Sequence, residues 1–167
     1  MTTLNLQGVP VLVVGAGIMG AGIAQVAAQA GHPVQLFDTR EGEAAQAKAR
    51  LASTLEGLVA KGKLDAASAQ STLAHIEPIG ELDKAWGTAL VVEAIVEDLA
   101  AKRALFSQLE SQVADDCILT TNTSSISVTA IANGLRHPGR LVGMHFFNPV
   151  PLMKLVEVVS GLNTDAV

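Results

Sequence analysis

The chain has 167 residues, 49% of them hydrophobic, and 16 acidic against 11 basic side chains give a formal net charge of −5. That length is enough to bury one good-sized core, so a single globular unit is expected. The acidic balance, without a basic stripe or interleaved aromatics, argues against a nucleic-acid partner; the lack of any run of eighteen apolar residues argues against a membrane span; and a lone cysteine, Cys117, excludes an internal disulfide. Met1-Thr2-Thr3-Leu4-Asn5 carries neither a basic nor an apolar targeting region, and the composition is of a cytoplasmic type.

In chain order, residues 9–14 form a short β-branched run that ends in Gly15-Ala16-Gly17-Ile18-Met19-Gly20. An Ala-rich helix is expected over 18–30, stopped by Gly31 and Pro33. In this strand, glycine turn and helix, Gly15 allows the tight turn, Gly17 lets the backbone approach a pyrophosphate, and Gly20 lets helix and strand pack closely. The free N–H groups and positive dipole end of the helix would then face the phosphates. A second strand, Val34–Phe37, ends at Asp38, where a carboxylate can accept the adenosine ribose hydroxyls and would repel a 2′-phosphate. Dinucleotide binding is therefore expected, NAD rather than NADP, although Arg40 two residues on leaves that preference open.

Residues 41–61 repeat Leu51, Leu55 and Leu58 at helical spacing, and a shorter helix over 66–73 turns the chain back, so a protruding helical hairpin is expected. The cluster Lys61-Gly62-Lys63 at its tip reads either as a solvated helix end or as a landing place for an anion. Residues 75–79 make a weak strand, placed near an edge by Pro78. Residues 89–96 make a stronger strand, apolar as one covered on both faces should be. A helix over 99–113, a strand over 117–121 and a helix over 128–133 follow, the last capped from the polar cluster Asn122-Thr123-Ser124-Ser125. Leu141–Phe146 is another strand, Asn148 to Pro151 a turn and 152–159 a final strand. The alternation gives an α/β fold with a mostly parallel, doubly wound Rossmann-type sheet and a terminal antiparallel strand pair. Residues 163–167 read as a capped first helical turn in which the chain stops, so a longer natural protein is expected.

Ligands of such sheets sit outside the carboxyl ends of the strands, where Asp38, Glu97, the Ser124 cluster and the segment from His145 to Asn148 all fall. His145 is the natural proton carrier, since imidazole titrates near neutral pH. A lone histidine there would ordinarily be a hydrogen-bonded core residue. Glu157, twelve positions on and across the expected hairpin, could instead reach its second ring nitrogen, fix the tautomer and stabilise the imidazolium. Ser124 has no activating base in its own segment and reads as a hydrogen-bond donor to a substrate oxygen, or else as a helix cap that Ser125 or Ser127 could equally provide. His32, His75 and His137 lie in loops or at a weak strand end and are less promising.

The glycine loop, Val91-Val92-Glu93-Ala94-Ile95-Val96-Glu97, Asn122-Thr123-Ser124-Ser125, His145-Phe146-Phe147-Asn148-Pro149-Val150-Pro151 and Leu152-Met153-Lys154-Leu155-Val156-Glu157 occur in an order that resembles the N-terminal half of an L-3-hydroxyacyl-CoA dehydrogenase. The chain is similar to the bacterial 3-hydroxybutyryl-CoA and phenylacetate-pathway members over nearly its whole length. The resemblance implies reversible oxidation of an L-3-hydroxyacyl-CoA to a 3-ketoacyl-CoA with NAD, as in fatty acid β-oxidation. It makes His145 the general base, Glu157 its partner and Ser124 the holder of the substrate oxygen. It assigns Gly15, Gly17, Ile18, Met19, Gly20, Asp38, Glu97, Lys102 and Asn148 to NAD, and Thr54 and Lys61 to CoA, with Thr54 standing where a serine is expected. No metal is implied. The family also carries an all-helical domain that closes the cleft and forms most of a homodimer contact, and this is missing from the 1–167 NAD-binding unit. Two other readings are a non-catalytic NAD(H)-binding module or regulator of the same fold, and a β-hydroxyacid dehydrogenase, which would rely on a later lysine and leave the His145 block unexplained.

Overall fold

The computed structural model describes residues 6–85 and 87–165. The stretch 1–5 read for targeting and the last two residues of the expected final helical turn lie outside these. Strands β1 (Val11–Val14), β2 (Val34–Phe37), β3 (Ile76–Ile79), β4 (Leu90–Glu93), β5 (Ile118–Thr121), β6 (Leu141–Phe146) and β7 (Val156–Ser160) alternate with helices α1 (Ile18–Gln29), α2 (Glu43–Ala60), α3 (Ala66–Ala74), α4 (Leu99–Leu109) and α5 (Val128–Ala132). The sheet order is β3-β2-β1-β4-β5-β6-β7, parallel throughout except for the antiparallel β6–β7 pair. The chain winds outward from β1 to the β3 edge, then crosses back to β4, so the order reverses between β1 and β4 and opens a crevice at their carboxyl ends.

Side chains on β1 alternate between two cores, as a strand buried on both faces requires. Leu12 and Val14 join Val91, Leu119, Phe106, Leu109 and Ile131 on the α4–α5 side. Val11 and Val13 join Leu36, Val92, Ile23, Leu51 and Leu55 on the other. Burying each large apolar side chain fully contributes about 1.5–3 kcal/mol, and Leu12, Leu55, Phe106 and Leu119 are all completely enclosed. The inner stripe of the α2–α3 hairpin is thereby anchored, while Lys61, Gly62 and Lys63 at its tip are exposed. Pro78 does lie on the edge strand β3.

Several element ends differ from the sequence expectation, α4 for instance ending at Leu109 rather than residue 113, and three of them have a clear local reason. α2 begins at Glu43 rather than residue 41 because Gly42 takes a left-handed conformation (φ 75°). β4 stops at Glu93, not residue 96, because the Glu93 carboxylate turns back and accepts the Ile95 N–H at 2.8 Å. β7 starts at Val156, not residue 152, because the N–H groups of Leu152 and Met153 both donate to the Pro149 carbonyl at 2.9 and 3.0 Å, closing a turn first.

Candidate functional site

The glycine loop leaves β1 against β4. Gly15 has φ 101°, and a Cβ there would lie 2.5 Å from the Ala94 carbonyl oxygen, so only glycine fits. A Cβ on Gly20 would sit 1.7 Å from the Gly15 carbonyl oxygen, which is the close helix–strand packing expected of it. Gly17, by contrast, faces open space. The first helical bond of α1 runs from the Ala21 N–H to the Gly17 carbonyl at 2.9 Å, so the N–H groups of Ile18, Met19 and Gly20 have no acceptor within the helix. These donors fit a pyrophosphate. The Met19 side chain itself packs on the core, leaving only its backbone for a ligand, whereas Ile18 is exposed.

Asp38 closes this half of the site. Its Oδ2 accepts the Ala16 N–H at 2.8 Å, tying the tip of β2 to the glycine loop, and Arg40 pairs with it through Nε to Oδ1 at 2.9 Å and Nη2 to Oδ2 at 3.0 Å. The Arg40 side-chain hydrogen bonds, opposed by partial burial and helped by the Ala16 and Arg40 N–H groups, hold the Asp38 carboxyl down at about 2. Gly15, Gly17, Asp38 and Arg40 line one cavity of about 670 Å³ together with Ile95 and Leu105, an apolar slot beside a carboxylate that suits an adenosine.

The second half lies across the sheet order, at the ends of β5, β6 and β7. His145 and Glu157 are a register pair of the antiparallel ladder, and Nδ1 of His145 lies 3.0 Å from Oε2 of Glu157. The ring is tilted against Phe147 with centroids 4.5 Å apart, and its side chain is mostly covered, so its orientation is fixed while Nε2 has no partner among the described residues. His145, Glu157 and Ser124 line one cavity of about 350 Å³. Ser127, not Ser124, caps α5, accepting the Ala130 N–H at 3.3 Å, and the Ser124 hydroxyl is left free of the described residues.

Glu97 holds the Ser124 loop in place. Its Oε1 accepts the Thr123 hydroxyl at 2.5 Å, the Ser124 and Ser125 N–H groups at 3.0 and 3.1 Å, and the Ser125 hydroxyl at 3.2 Å. Burial works to raise its carboxyl, but these donors and the Lys102 ammonium overcome it and hold it at about 2. Lys102 is almost wholly buried: its Nζ lies 2.6 Å from Oε1 of Glu93 and 3.3 Å from Oε2 of Glu97. Glu93 is buried too, and its Oε2 accepts the Thr121 hydroxyl at 2.6 Å. The Glu93–Lys102–Glu97 chain thus links the end of β4 to the Ser124 loop. Sequence reasoning missed Glu93 because it read as one more member of an apolar strand.

Asn122 is a further link, accepting the Phe146 N–H at 2.8 Å and so joining β5 to β6. Asn148 and Thr54 share a third cavity with Gly17 and Ile18, whereas Lys61, on the hairpin tip, lines none of the three. His32 and His75 bond main-chain carbonyls of Val9 and Ser71, in keeping with their lesser promise. Cys117 is enclosed, and burial pushes its thiol up to about 11, which makes it inert. Among the described residues no group of three His, Cys, Asp or Glu side chains is arranged to hold a metal, and no helix is long and apolar enough to cross a membrane.

Residues 10–167 match the family model described as 3-hydroxyacyl-CoA dehydrogenase, NAD binding domain. The chain is 47% identical over 163 residues to the 3-hydroxyadipyl-CoA dehydrogenase of Escherichia coli (strain K12), covering 98% of this chain and 34% of that protein. It is 43% identical over 155 residues to the 3-hydroxybutyryl-CoA dehydrogenase of Clostridioides difficile, covering 93% of this chain and 55% of that one. Among solved structures, a 3-hydroxybutyryl-CoA dehydrogenase from Escherichia coli K12 superposes with a TM-score of 0.92 at 47% identity, over 98% of this chain and 34% of that one. The chain therefore spans about a third to about half the length of these relatives.

Proposed function

This chain belongs to the 3-hydroxyacyl-CoA dehydrogenase family, as its NAD binding domain, and from that premise we propose that it is the cofactor-binding and proton-transferring half of an enzyme that reversibly oxidises an L-3-hydroxyacyl-CoA to the 3-ketoacyl-CoA. The observation that carries this reading is the His145–Glu157 pair at 3.0 Å, sharing a cavity with a free Ser124 hydroxyl. Binding a dinucleotide needs none of these three side chains, but moving a proton beside it does.

The glycine-loop N–H groups and Asp38 are the residues that would hold the cofactor, with Glu97 and Asn148 on its nicotinamide side and Lys102, buried between Glu93 and Glu97, acting only through Glu97. NAD, when bound, supplies the acceptor for the hydride that leaves C3 of the substrate. His145 Nε2 takes the proton of the 3-hydroxyl, and Glu157 at Nδ1 stabilises the imidazolium that forms. The Ser124 hydroxyl donates to the same substrate oxygen and orients it. In the reverse direction His145 returns the proton to the ketone oxygen. Thr54 and Lys61 on the α2–α3 hairpin contact the CoA, whose negative charge the exposed Lys61 complements. Water exclusion and full rate need the all-helical domain of the family, through which the complete protein forms a homodimer in the cytoplasm.

The test is NADH titration of this chain followed by turnover of acetoacetyl-CoA, read as loss of NADH absorbance. Binding with little turnover, restored when the chain is continued through a helical domain, is the expected result. Binding without turnover in the completed protein would overturn the enzyme reading and leave a cofactor-binding module.

A further inference from the structure

Among the described residues, the cavity of about 670 Å³ between the glycine loop and α4 is lined by only two ionisable side chains, Asp38 and Arg40, whose charges cancel. A carboxylate alone at this place accepts the adenosine ribose hydroxyls and repels a 2′-phosphate. Here it is not alone. Oδ1 accepts the Arg40 N–H and Nε–H, each at 2.9 Å, and Oδ2 accepts the Ala16 N–H at 2.8 Å and Nη2 of Arg40 at 3.0 Å. A carboxylate offers about four acceptor positions, and all of them are taken. Ribose hydroxyls therefore reach Asp38 only when the Arg40 side chain leaves. The two main-chain donors then remain, and one position opens on each oxygen.

Arg40 is placed to leave. Its side chain is 64% exposed, against 7% for Asp38, and a pair with one partner in solvent exchanges readily. The next anion, Glu43, lies 3.9 Å from Nη2 of Arg40 and is already held by Arg50 at 2.6 Å, so Asp38 is the main anchor of the guanidinium. A guanidinium is planar and forked, the geometry that binds phosphate through two parallel N–H···O bonds. This one rests on the same carboxylate that marks where the ribose lies. Thr39, exposed between the two, lines the cavity as well and adds a hydroxyl.

We propose that Arg40 sets the cofactor preference of this chain, and that the site accepts a dinucleotide with a 2′-phosphate on its adenosine ribose as well as NAD. With NAD, Arg40 swings off and the ribose hydroxyls take its two side-chain places on Asp38. With the 2′-phosphorylated form, the guanidinium turns from Asp38 to the phosphate, and its charge offsets the repulsion from the carboxylate. The inference rests on the dinucleotide site alone and is independent of the proton-transfer reading of His145.

The experiment is calorimetric titration of the unaltered chain, Arg40→Gln and Arg40→Lys with NADH and with NADPH, at low and at moderate salt. The unaltered chain is expected to bind NADPH within about tenfold of NADH. Arg40→Gln is expected to weaken NADPH about ten- to hundredfold, the scale of hydrogen bonds to a charged group, while NADH binding stays the same or tightens. Arg40→Lys, which keeps the charge and loses the fork, falls between the two for NADPH. Added salt weakens NADPH more than NADH in the unaltered chain, and that difference shrinks in Arg40→Gln. The NADH titration also checks that each variant is folded. A ratio of the two dissociation constants that Arg40→Gln leaves unchanged, whatever its size, overturns the inference while the NAD site stands. Binding of neither dinucleotide by the unaltered chain overturns the cofactor site itself, and the inference with it.

Discussion

His145 and Glu157 meet across a ladder whose backbone bonds do not depend on either side chain, so each can be changed without unpairing β6 from β7. His145→Gln is expected to lower kcat by about 10²–10⁴-fold, the range for loss of a general base, with NADH affinity unchanged. Glu157→Gln is expected to cost less, though more than about tenfold, because the imidazole stays while its charged form loses support. Steady-state rates with acetoacetyl-CoA alongside NADH titration check both. This pair was legible in the sequence because a hairpin turn between two strands fixes which residues can face each other. Lys102 was not legible in the same way. The resemblance assigns it to the cofactor, whereas its ammonium is buried between Glu93 and Glu97, an arrangement set by how α4 packs on β4 and not by any spacing along one element.

At the scale of elements, the Ser124 loop is held less by its own turn chemistry than by a carboxylate from the β4–α4 connection. In Glu97 and Asp38 the folded carboxyls sit at about 2, against ordinary values of 4.5 and 3.8. The folded form therefore binds fewer protons than the unfolded one between these values. Both groups contribute stability that is fully present above the ordinary values and is lost as pH falls through about 2. Urea midpoints measured from pH 6 down to about 2 should fall for the unaltered chain and fall less steeply for Glu97→Gln. Glu97→Gln should also slow turnover more than it weakens NADH binding, since it frees the Ser124 loop. Lys102→Met leaves Glu93 buried and unpaired, and a loss of about 3–5 kcal/mol in unfolding free energy is expected, read by the same urea titration. The element interiors were legible from apolar period and glycine punctuation. Their ends were not, because the Glu93 carboxylate and the Pro149 carbonyl capture N–H groups that an apolar run alone would assign to a ladder.

For the whole molecule, the winding order explains why two cavities built from distant stretches open at the carboxyl ends of the strands: the glycine loop and Asp38 follow β1 and β2, and the Ser124 and His145 segments follow β5 and β6. The doubly wound sheet, the edge position of β3 and the antiparallel final pair were all legible from the alternation of elements. The two-cavity layout was not, since it depends on strand order in space. That order also leaves β7 as the outermost strand, with Val156, Val158 and Val159 exposed and Leu155 and Leu162 exposed beside them. Such an edge offers unpaired main-chain groups along an oily rim. In handling, this makes the 167-residue chain a sticky particle despite its net charge of −5: light scattering should rise with concentration, and Val158→Lys should suppress that rise while leaving the NADH titration unaltered. The strand that carries Glu157 to the chemistry is thus also the one that governs the chain's colloidal behaviour.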